Sequence, residues 1–481
     1  MGAAFLAALI AALIALTISW AIGWFALELL WPPRTQPIDR VLRAAVAGGL
    51  GLFVSSLLYF ICLLAGIASR PWVVAIDVTV LAALGGWAVL ARRGRPLEPA
   101  IDEDQRSDAL PTATAIDWIL GVGLVAALFT NASAWLLRFR DEPLGFWDAF
   151  AIWNLKARFF FFEAGEHWQR AFSDVISWSH TDYPLLLPLN VARLWVYNGS
   201  PDAATAVVLS IFFTLLAMAL VFGAIASTKG RPTAFLACFA LLATPQLMAQ
   251  SVWQVADIPV AMFLAGSLAL VLAAARRPIG STPLLFVAGL SAGAAAWTKN
   301  EGLLFALAIL ISIPLTGAKN ERKQRLANAV QFAKGLALPF ILVLSMKLGL
   351  GGESDLAADF SLASLGRIFE GARHLMIIES FFRTIIMLTG APLLVTLIAL
   401  CFWLGFDRRS GNSGWLAVGG LALALQFAGY YFIYLITDRD LAWHLGTSNL
   451  RLFVQLWPSA LLLLFTGLRP FSNPKPVDPN R

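Results

Sequence analysis

Apolar runs of membrane-spanning length fill most of this 481-residue sequence. A helix of about 17–25 apolar residues crosses the hydrocarbon core of a bilayer, which is about 30 Å thick. Charged residues make up 13% of the chain and hydrophobic residues 59%, whereas a soluble domain carries about 25% charged residues. A soluble enzyme, a disordered chain and a disulfide scaffold are therefore excluded. The sequence predicts an all-α polytopic membrane protein.

Hydropathy predicts about thirteen transmembrane helices. Residues 376–388 either lengthen the eleventh helix or lie along the membrane interface as an amphipathic piece. The N-terminal apolar stretch has no basic n-region and is longer than the core of a signal peptide, so we interpret it as a retained membrane helix. The predicted spans are 2–30, 44–67, 72–91, 114–136, 203–227, 233–250, 257–275, 283–298, 301–316, 331–349, 389–406, 414–436 and 452–468.

Basic residues indicate the orientation, because cytoplasmic loops of membrane proteins are enriched in Lys and Arg. Seven connections hold 20 of the 35 basic residues. All seven lie in the cytoplasm if the N-terminus is outside and residues 184–198 do not span. That stretch contains two prolines and Arg193, which favours an interfacial or re-entrant helix. One long external segment, about 137–202, follows, with shorter external loops at about 350–375 and 437–450.

The long external segment is where we expect the chemistry, with amphipathic juxtamembrane helices. Between residues 147 and 162, aromatic side chains such as Phe150 and Trp153 recur near helical spacing. Asp148 and Lys156 lie on or near the opposite stripe. Such a helix can rest its aromatic face on the membrane and turn its acids towards an aqueous cleft.

Several short motifs occur in a recognisable order along the chain. They are Asp141-Glu142, WDAFAIWNLKAR from Trp147, HTDYPLLLPL (180–189), ADIPVAMF (256–263), GLSAGAAAWTKNEGL (289–303) and WHLGTSNLRLFVQLWP (443–458). This order resembles the GT-C superfamily of integral-membrane glycosyltransferases, whose relatives include protein O-mannosyltransferases and the aminoarabinose transferases of lipid A. The resemblance covers roughly 114–468, and the second proline of the family's His/Tyr-Pro-Pro-Leu segment is displaced here.

The resemblance implies three regions and one activity. Residues 1–113 would form three leading helices and a cytoplasmic linker, 114–468 the glycosyltransferase core, and 469–481 a cytoplasmic tail. The activity is transfer of a sugar from a polyprenyl-phosphate donor to a glycan, lipid or protein acceptor at the outer face of a bacterial inner membrane. The first alternative is a secondary transporter or lipid flippase, and the second is an O-antigen-type ligase or polymerase.

Inverting transfer needs a base for the acceptor and cations for the departing phosphate. Asp148 is the candidate base, unless it only caps its helix, and Glu142 and Asp141 are the runners-up. Lysine and arginine at the ends of spans also anchor to headgroups, and Asp257 either binds sugar or pairs with Lys299. Candidate donor-phosphate ligands are Lys299, Arg451 and His444; candidate sugar or acceptor ligands are Asp257, His180, Asp182, Tyr183 and Trp147.

No cofactor is predicted with certainty, although some GT-C families use a divalent metal. Asp438-Arg439-Asp440 is the one Asp-Xaa-Asp in the predicted external loops, and we interpret it as a loop charge cluster. The net charge of +6 comes from small basic groups between apolar runs, which predicts contact with anionic lipid and no nucleic-acid partner. The acidic cluster Asp102, Glu103 and Asp104 is interpreted as solvated charge in the cytoplasmic linker.

Overall fold

The computed structural model describes residues 2–31, 37–93, 113–275, 281–316, 321–351, 362–407 and 413–471. Most residues in these ranges are helical. Within them, the β-structure is limited to one isolated bridge, between Phe406 and Leu468. The all-α polytopic membrane fold is confirmed. The acidic cluster of the linker and residues 472–481 of the tail lie outside the described residues.

Ten helices are long and apolar enough to cross a membrane, by length and composition. These helices are α1 (Gly2–Leu30), α2 (Pro37–Leu64), α3 (Arg70–Arg93), α4 (Ala115–Asp141), α7 (Ala203–Lys229), α10 (Asp257–Ala275), α13 (Arg322–Gly349), α15 (Gly371–Leu404), α16 (Ser413–Ile436) and α17 (Leu441–Gly467).

Shorter helices complete the membrane region and the predicted external segment. They are α5 (Asn154–Phe162), α6 (Leu186–Asn198), α8 (Arg231–Leu242), α9 (Pro245–Gln250), α11 (Ser281–Thr298), α12 (Asn300–Leu315) and α14 (Leu362–Gly366). A π-helical turn, Ala149–Trp153, precedes α5, and 3₁₀ turns occupy Trp168–Phe172, Asp174–Ser179 and Arg367–Phe369. The three predicted spans beyond the ten long helices correspond to α8 with α9, α11 and α12, so the count of thirteen stays a prediction.

Several predicted boundaries were wrong, for reasons visible in the sequence. The span 233–250 is two helices, because Pro245 begins α9 after a break at Thr244. Residues 376–388 do lengthen the eleventh predicted helix, which was the first of the two alternatives, and this helix, α15, begins at Gly371 and kinks at Gly390 (φ 66°) just before Pro392. The predicted external loop 437–450 shrinks to a short turn, since α17 begins at Leu441 behind the cap Asp440.

The centre of the bundle is α10, whose residues from Asp257 to Ala274 are all buried. It packs against α7, α11 and α17. By contrast, α4 lies at the periphery against α8, with Trp135 its one buried residue. A helix enclosed by others on all sides holds its end residues firmly, and Asp257 is the first residue of α10.

Residues 184–198 do not form a span, as predicted, because α6 is a helix of 13 residues. It is buried within the protein between α1, α2 and α5. Arg193 is fully buried and forms an ion pair of 2.7 Å with Asp77 of α3. Tyr197 donates a hydrogen bond of 2.7 Å to the same carboxylate. The carboxylate of Asp77 therefore joins α3 to α6 through the arginine at the middle of α6.

Candidate active site

Asp148 stands where the chain turns from α4 into the π-helical turn. The turn approaches Trp253 so closely that a Cβ on Gly145 (φ +75°) would lie 2.5 Å from the Trp253 carbonyl oxygen. Phe146 stacks on Trp253 with ring centroids 4.6 Å apart. These contacts fix the start of the π-helical turn and direct Asp148 towards α17. Its side chain forms no capping hydrogen bond, so the helix-cap alternative is wrong.

Asp257 is a fully buried carboxylate at the start of α10. Its Oδ2 accepts a hydrogen bond from Nε of Arg451 at 2.8 Å. Its Oδ1 accepts from Nζ of Lys299 at 3.0 Å and from Nε2 of Gln455 at 2.7 Å. A buried charge is tolerated when partners satisfy its lone pairs. The expected pairing of Asp257 with Lys299 is present.

Arg451 joins the two acids, because its Nη1 lies 2.6 Å from Oδ2 of Asp148 while its Nε binds Asp257. Lys299 adds a second ion pair, 2.9 Å from Glu301. We call Asp148, Arg451, Asp257, Lys299 and Glu301 the ionic cluster. Three carboxylates and two cations give it a formal charge of −1.

Lys299 occupies the turn between α11 and α12. A Cβ on Gly302 would lie 2.2 Å from the backbone of Ala295, so glycine is what lets the two helices approach this closely behind the turn. Lys299 is nearly buried, with its amine between two carboxylates, whereas a lysine that anchors to headgroups extends into water. The anchoring alternative therefore does not describe Lys299.

The segment 180–183 lies beside the ionic cluster. Asp182 is buried, accepts a hydrogen bond of 2.8 Å from Asn300 and lies 3.6 Å from Nζ of Lys347. His180 has a left-handed backbone (φ 53°) and its ring stacks on Tyr183 at 4.6 Å. Burial raises the pKa of Tyr183, with smaller effects from Lys299 and Glu301. Asn300 follows Lys299 directly, so the turn between α11 and α12 contacts Asp182 through Asn300 and contributes Lys299 to the ionic cluster.

Lys156 corrects the predicted amphipathic pattern, since it is fully buried although it was placed on or near the polar stripe opposite the aromatic face. Its amine donates a hydrogen bond of 2.6 Å to the carbonyl of His180 and a longer one, 3.4 Å, to that of Tyr183. Burial lowers the pKa of Lys156, the charge of Asp182 opposes this shift and the charge of Lys347 adds to it, and the resulting pKa is about 7. Helical spacing alone misses this because segment 180–183 covers the polar stripe.

The other predicted site residues lie apart from these contacts. Asp141 and Glu142 are exposed at the end of α4. Trp147 is half-exposed beside Trp178, with centroids 6.4 Å apart. His444 lies 3.1 Å from Oγ1 of Thr437 and packs against Tyr434.

The Asp-Xaa-Asp sequence has structural partners. Asp438 pairs with Arg367, and Asp440 accepts a hydrogen bond of 2.8 Å from the backbone of Trp443 at the start of α17. Among the residues the structure describes, no group of three or more His, Cys, Asp or Glu side chains is arranged to hold a metal ion.

Sequence reasoning assigned no role to Glu301, Gln455, Lys347 or Asn300. A signal existed for Gln455, because it lies four residues after Arg451 on the same helical face. Glu301 and Asn300 sit in the motif that supplied Lys299. Lys347 offered no signal, since it meets Asp182 only through the fold.

Residues 196–346 match a family model described as dolichyl-phosphate-mannose-protein mannosyltransferase. This match confirms the GT-C resemblance. The matched part runs from the end of α6 almost to the end of α13, and it contains Asp257, Lys299 and Glu301 of the ionic cluster. Asp148 and Arg451 lie outside the matched part. No curated protein and no solved structure matches the chain.

Proposed function

We propose that this protein transfers a sugar from a polyprenyl-phosphate donor to a hydroxyl or amine acceptor, with Asp148 as the base. The observation that carries the proposal is Arg451 bridging Asp148 and Asp257 next to Lys299. A proton acceptor and two cations lie within one hydrogen-bonded cluster. This is the pair of functions that inverting transfer from a phosphate leaving group requires.

In the proposed reaction, an acceptor O–H or N–H gives its proton to a carboxylate oxygen of Asp148. The acceptor atom forms a bond to C1 of the sugar as the C1–O bond to phosphate breaks, and the electron pair stays on the phosphate oxygen. The donor phosphodiester carries one negative charge, and the released phosphomonoester carries about −1.5 to −2 at pH 7. Arg451 and Lys299 are placed to stabilise that additional charge.

Segment 180–183 is our candidate for the acceptor side of the site. His180 and Tyr183 present a stacked pair of rings, and Asp182 is held by Asn300 and Lys347. Trp147, half-exposed beside Asp148, offers an aromatic surface on which a sugar ring could stack. The acceptor is a glycan, lipid or protein in this proposal.

The proposed location is the outer face of a bacterial inner membrane, which follows from the basic loops. We further propose that 114–468 is the catalytic unit, that 469–481 is a cytoplasmic tail, and that residues 1–113 support the unit. Support comes from the ion pair between Asp77 and Arg193, which joins α3 to α6.

The transporter alternative would use ionisable side chains within the spans as a relay. The acids of the leading helices have fixed partners instead, since Asp77 pairs with Arg193 and Glu28 with Arg92. The cations nearest to the candidate base are likewise bound to carboxylates. These pairings favour the transferase.

The test uses purified protein in lipid nanodiscs, a lipid extract containing polyprenyl-phosphate sugars, and a panel of glycan, lipid and peptide acceptors. Mass spectrometry measures released polyprenyl phosphate and the mass added to each acceptor. We expect wild type to release it and Asp148→Asn to release it at least about 100-fold more slowly, the lower range for a general base. Asp174→Asn, at an exposed acid of the same external segment, is the matched control.

Each other result has a meaning. Loss in Glu142→Gln or Asp141→Asn with full activity in Asp148→Asn would move the base to that acid. Transfer of a whole glycan would indicate the ligase or polymerase alternative. No release by wild type with any acceptor would overturn the transferase and favour transport.

A further inference from the structure

Arg451 holds its two carboxylates in different ways. Asp257 is fully buried and has three donors, from Arg451, Lys299 and Gln455. Asp148 contacts Arg451 through Nη1, and its side chain keeps 11% of its surface exposed. Asp257 is therefore the fixed partner that orients the guanidinium through Nε. Asp148 is the partner that can leave with least disruption.

Because the ionic cluster carries a negative charge, one of its carboxylates must move away from its cation when an anion binds. With a formal charge of −1, the cluster repels a phosphodiester until a carboxylate gives up its cation. Oδ2 of Asp148 is also turned towards Arg451, so the carboxylate does not present this oxygen to an acceptor in this arrangement. Phosphate binding and release of the base thus both require Asp148 to move away from Arg451.

We propose that the donor phosphate displaces Asp148 from Arg451 and so releases the base. This inference rests on the proposed function and adds an order of events to it. Before donor binding, Arg451 holds Asp148. After binding, the phosphate takes the Nη1 position, Asp257 retains Nε, and Asp148 turns to the acceptor. Donor binding comes first, and acceptor deprotonation depends on it.

The experiment measures the affinity of a short-chain polyprenyl monophosphate for the protein in nanodiscs at low salt. Neutralising Asp148 removes the group that the phosphate must displace. We therefore expect Asp148→Asn to bind this probe about tenfold more tightly than wild type, a change of about 1.4 kcal/mol, although it loses transfer. A substitution that abolishes turnover would thus improve binding.

Two control variants distinguish the displacement of Asp148 by phosphate from a general effect of removing negative charge. Asp182→Asn removes a negative charge from a neighbour that contacts Asn300 and Lys347. Glu301→Gln removes the acid that pairs with Lys299. We expect Asp182→Asn to change the affinity less than about threefold, because its partners are Asn300 and Lys347. Glu301→Gln should raise the affinity less than Asp148→Asn does, because Glu301 does not occupy the Nη1 position of Arg451. An equal gain in all three variants would mean that only net charge matters, and a gain confined to Glu301→Gln would mean that phosphate displaces Glu301; both overturn the proposal.

A double variant guards against a folding artefact. The gain from Asp148→Asn should vanish in the Arg451→Lys background, because a lysine cannot bridge two carboxylates as a guanidinium does. Persistence of the gain there would also contradict the proposal. If wild type transfers sugar but Asp148→Asn binds the probe no better, the displacement fails while the transferase stands. If wild type releases no polyprenyl phosphate, the transferase itself fails.

Discussion

Asn154 donates a hydrogen bond of 2.9 Å to the side-chain oxygen of Gln254, 100 residues further along the chain. Gln254 in turn donates one of 2.9 Å to the carbonyl of Pro143, and its backbone has a left-handed φ of 58°. The turn before Asp148 and the turn before Asp257 are thereby tied to one amide. A strained backbone at Gln254 is consistent with a site in which Asp148 and Asp257 must be held in fixed positions relative to each other.

Gln254→Ala should therefore destabilise the protein by about 1–3 kcal/mol, because it removes the partner of the buried Asn154 amide and of the Pro143 carbonyl. Gln254→Gly loses the same bonds but relieves the left-handed strain, so we expect it to be more stable than the alanine variant by about 1–2 kcal/mol. Unfolding in detergent measures both. Equal stabilities would show that the backbone at 254 stores no strain.

The pair of Arg193 and Asp77 should dominate the stability of the leading helices. Removing one partner of a buried pair costs about 3–5 kcal/mol, because the other charge stays buried and uncompensated. We expect that loss for Arg193→Met and a smaller one for Arg193→Met with Asp77→Asn. The exposed pair of Arg383 and Glu379 is the control, and Arg383→Ala should cost no more than about 0.5 kcal/mol. Similar losses for both pairs would contradict the role of Arg193.

Lys156 should make stability depend on pH. Its pKa is lowered by burial to about 7 from 10.5, so between these values the unfolded chain binds more protons than the folded one. Stability therefore rises with pH across this window, by at most about 1.4 kcal/mol per pH unit. Lys156→Met should flatten the rise, while Lys323→Met, at an exposed lysine, should not. The free energy of unfolding, measured at several pH values, tests this prediction. The same dependence on pH in wild type and Lys156→Met would refute it.

The orientation is open to direct labelling. Cysteine at position 175, where Val175 is 85% exposed in the long external segment, should react with a membrane-impermeant thiol reagent added to intact cells. Cysteine at position 322, exposed at the start of α13, should react only after lysis. The background replaces Cys62, Cys238 and Cys401. The reverse labelling pattern would invert the proposed topology.

The sequence predicted the membrane fold because apolar length is a local property. It also indicated the acids and cations of the site, since each lies within a short motif, and Asp148, Asp257 and Lys299 also stand beside a helix end or turn. Their mutual arrangement was mostly out of reach, because Arg451 and Asp257 lie 194 residues apart.

The failures have a common cause. Helical periodicity places Lys156 on the stripe opposite the aromatic face. It cannot show that segment 180–183 covers this lysine. The sequence predicts from Arg193 that residues 184–198 do not span, but it does not indicate that Asp77 neutralises this arginine. Pairing between distant segments decides the surroundings of a charge, and a single sequence does not reveal that pairing.

The separation of Asp77 from Arg193 has a consequence for synthesis. At about 5–20 residues per second, the 116 residues between them take roughly 6–23 seconds to translate. During that interval α3 enters the bilayer with a carboxylate that has not yet met its arginine, and an unpaired charge within a membrane helix is costly. The nascent chain thus passes through a stage at which its first three helices depend on protonation or on the insertion machinery, until α6 leaves the ribosome and completes them.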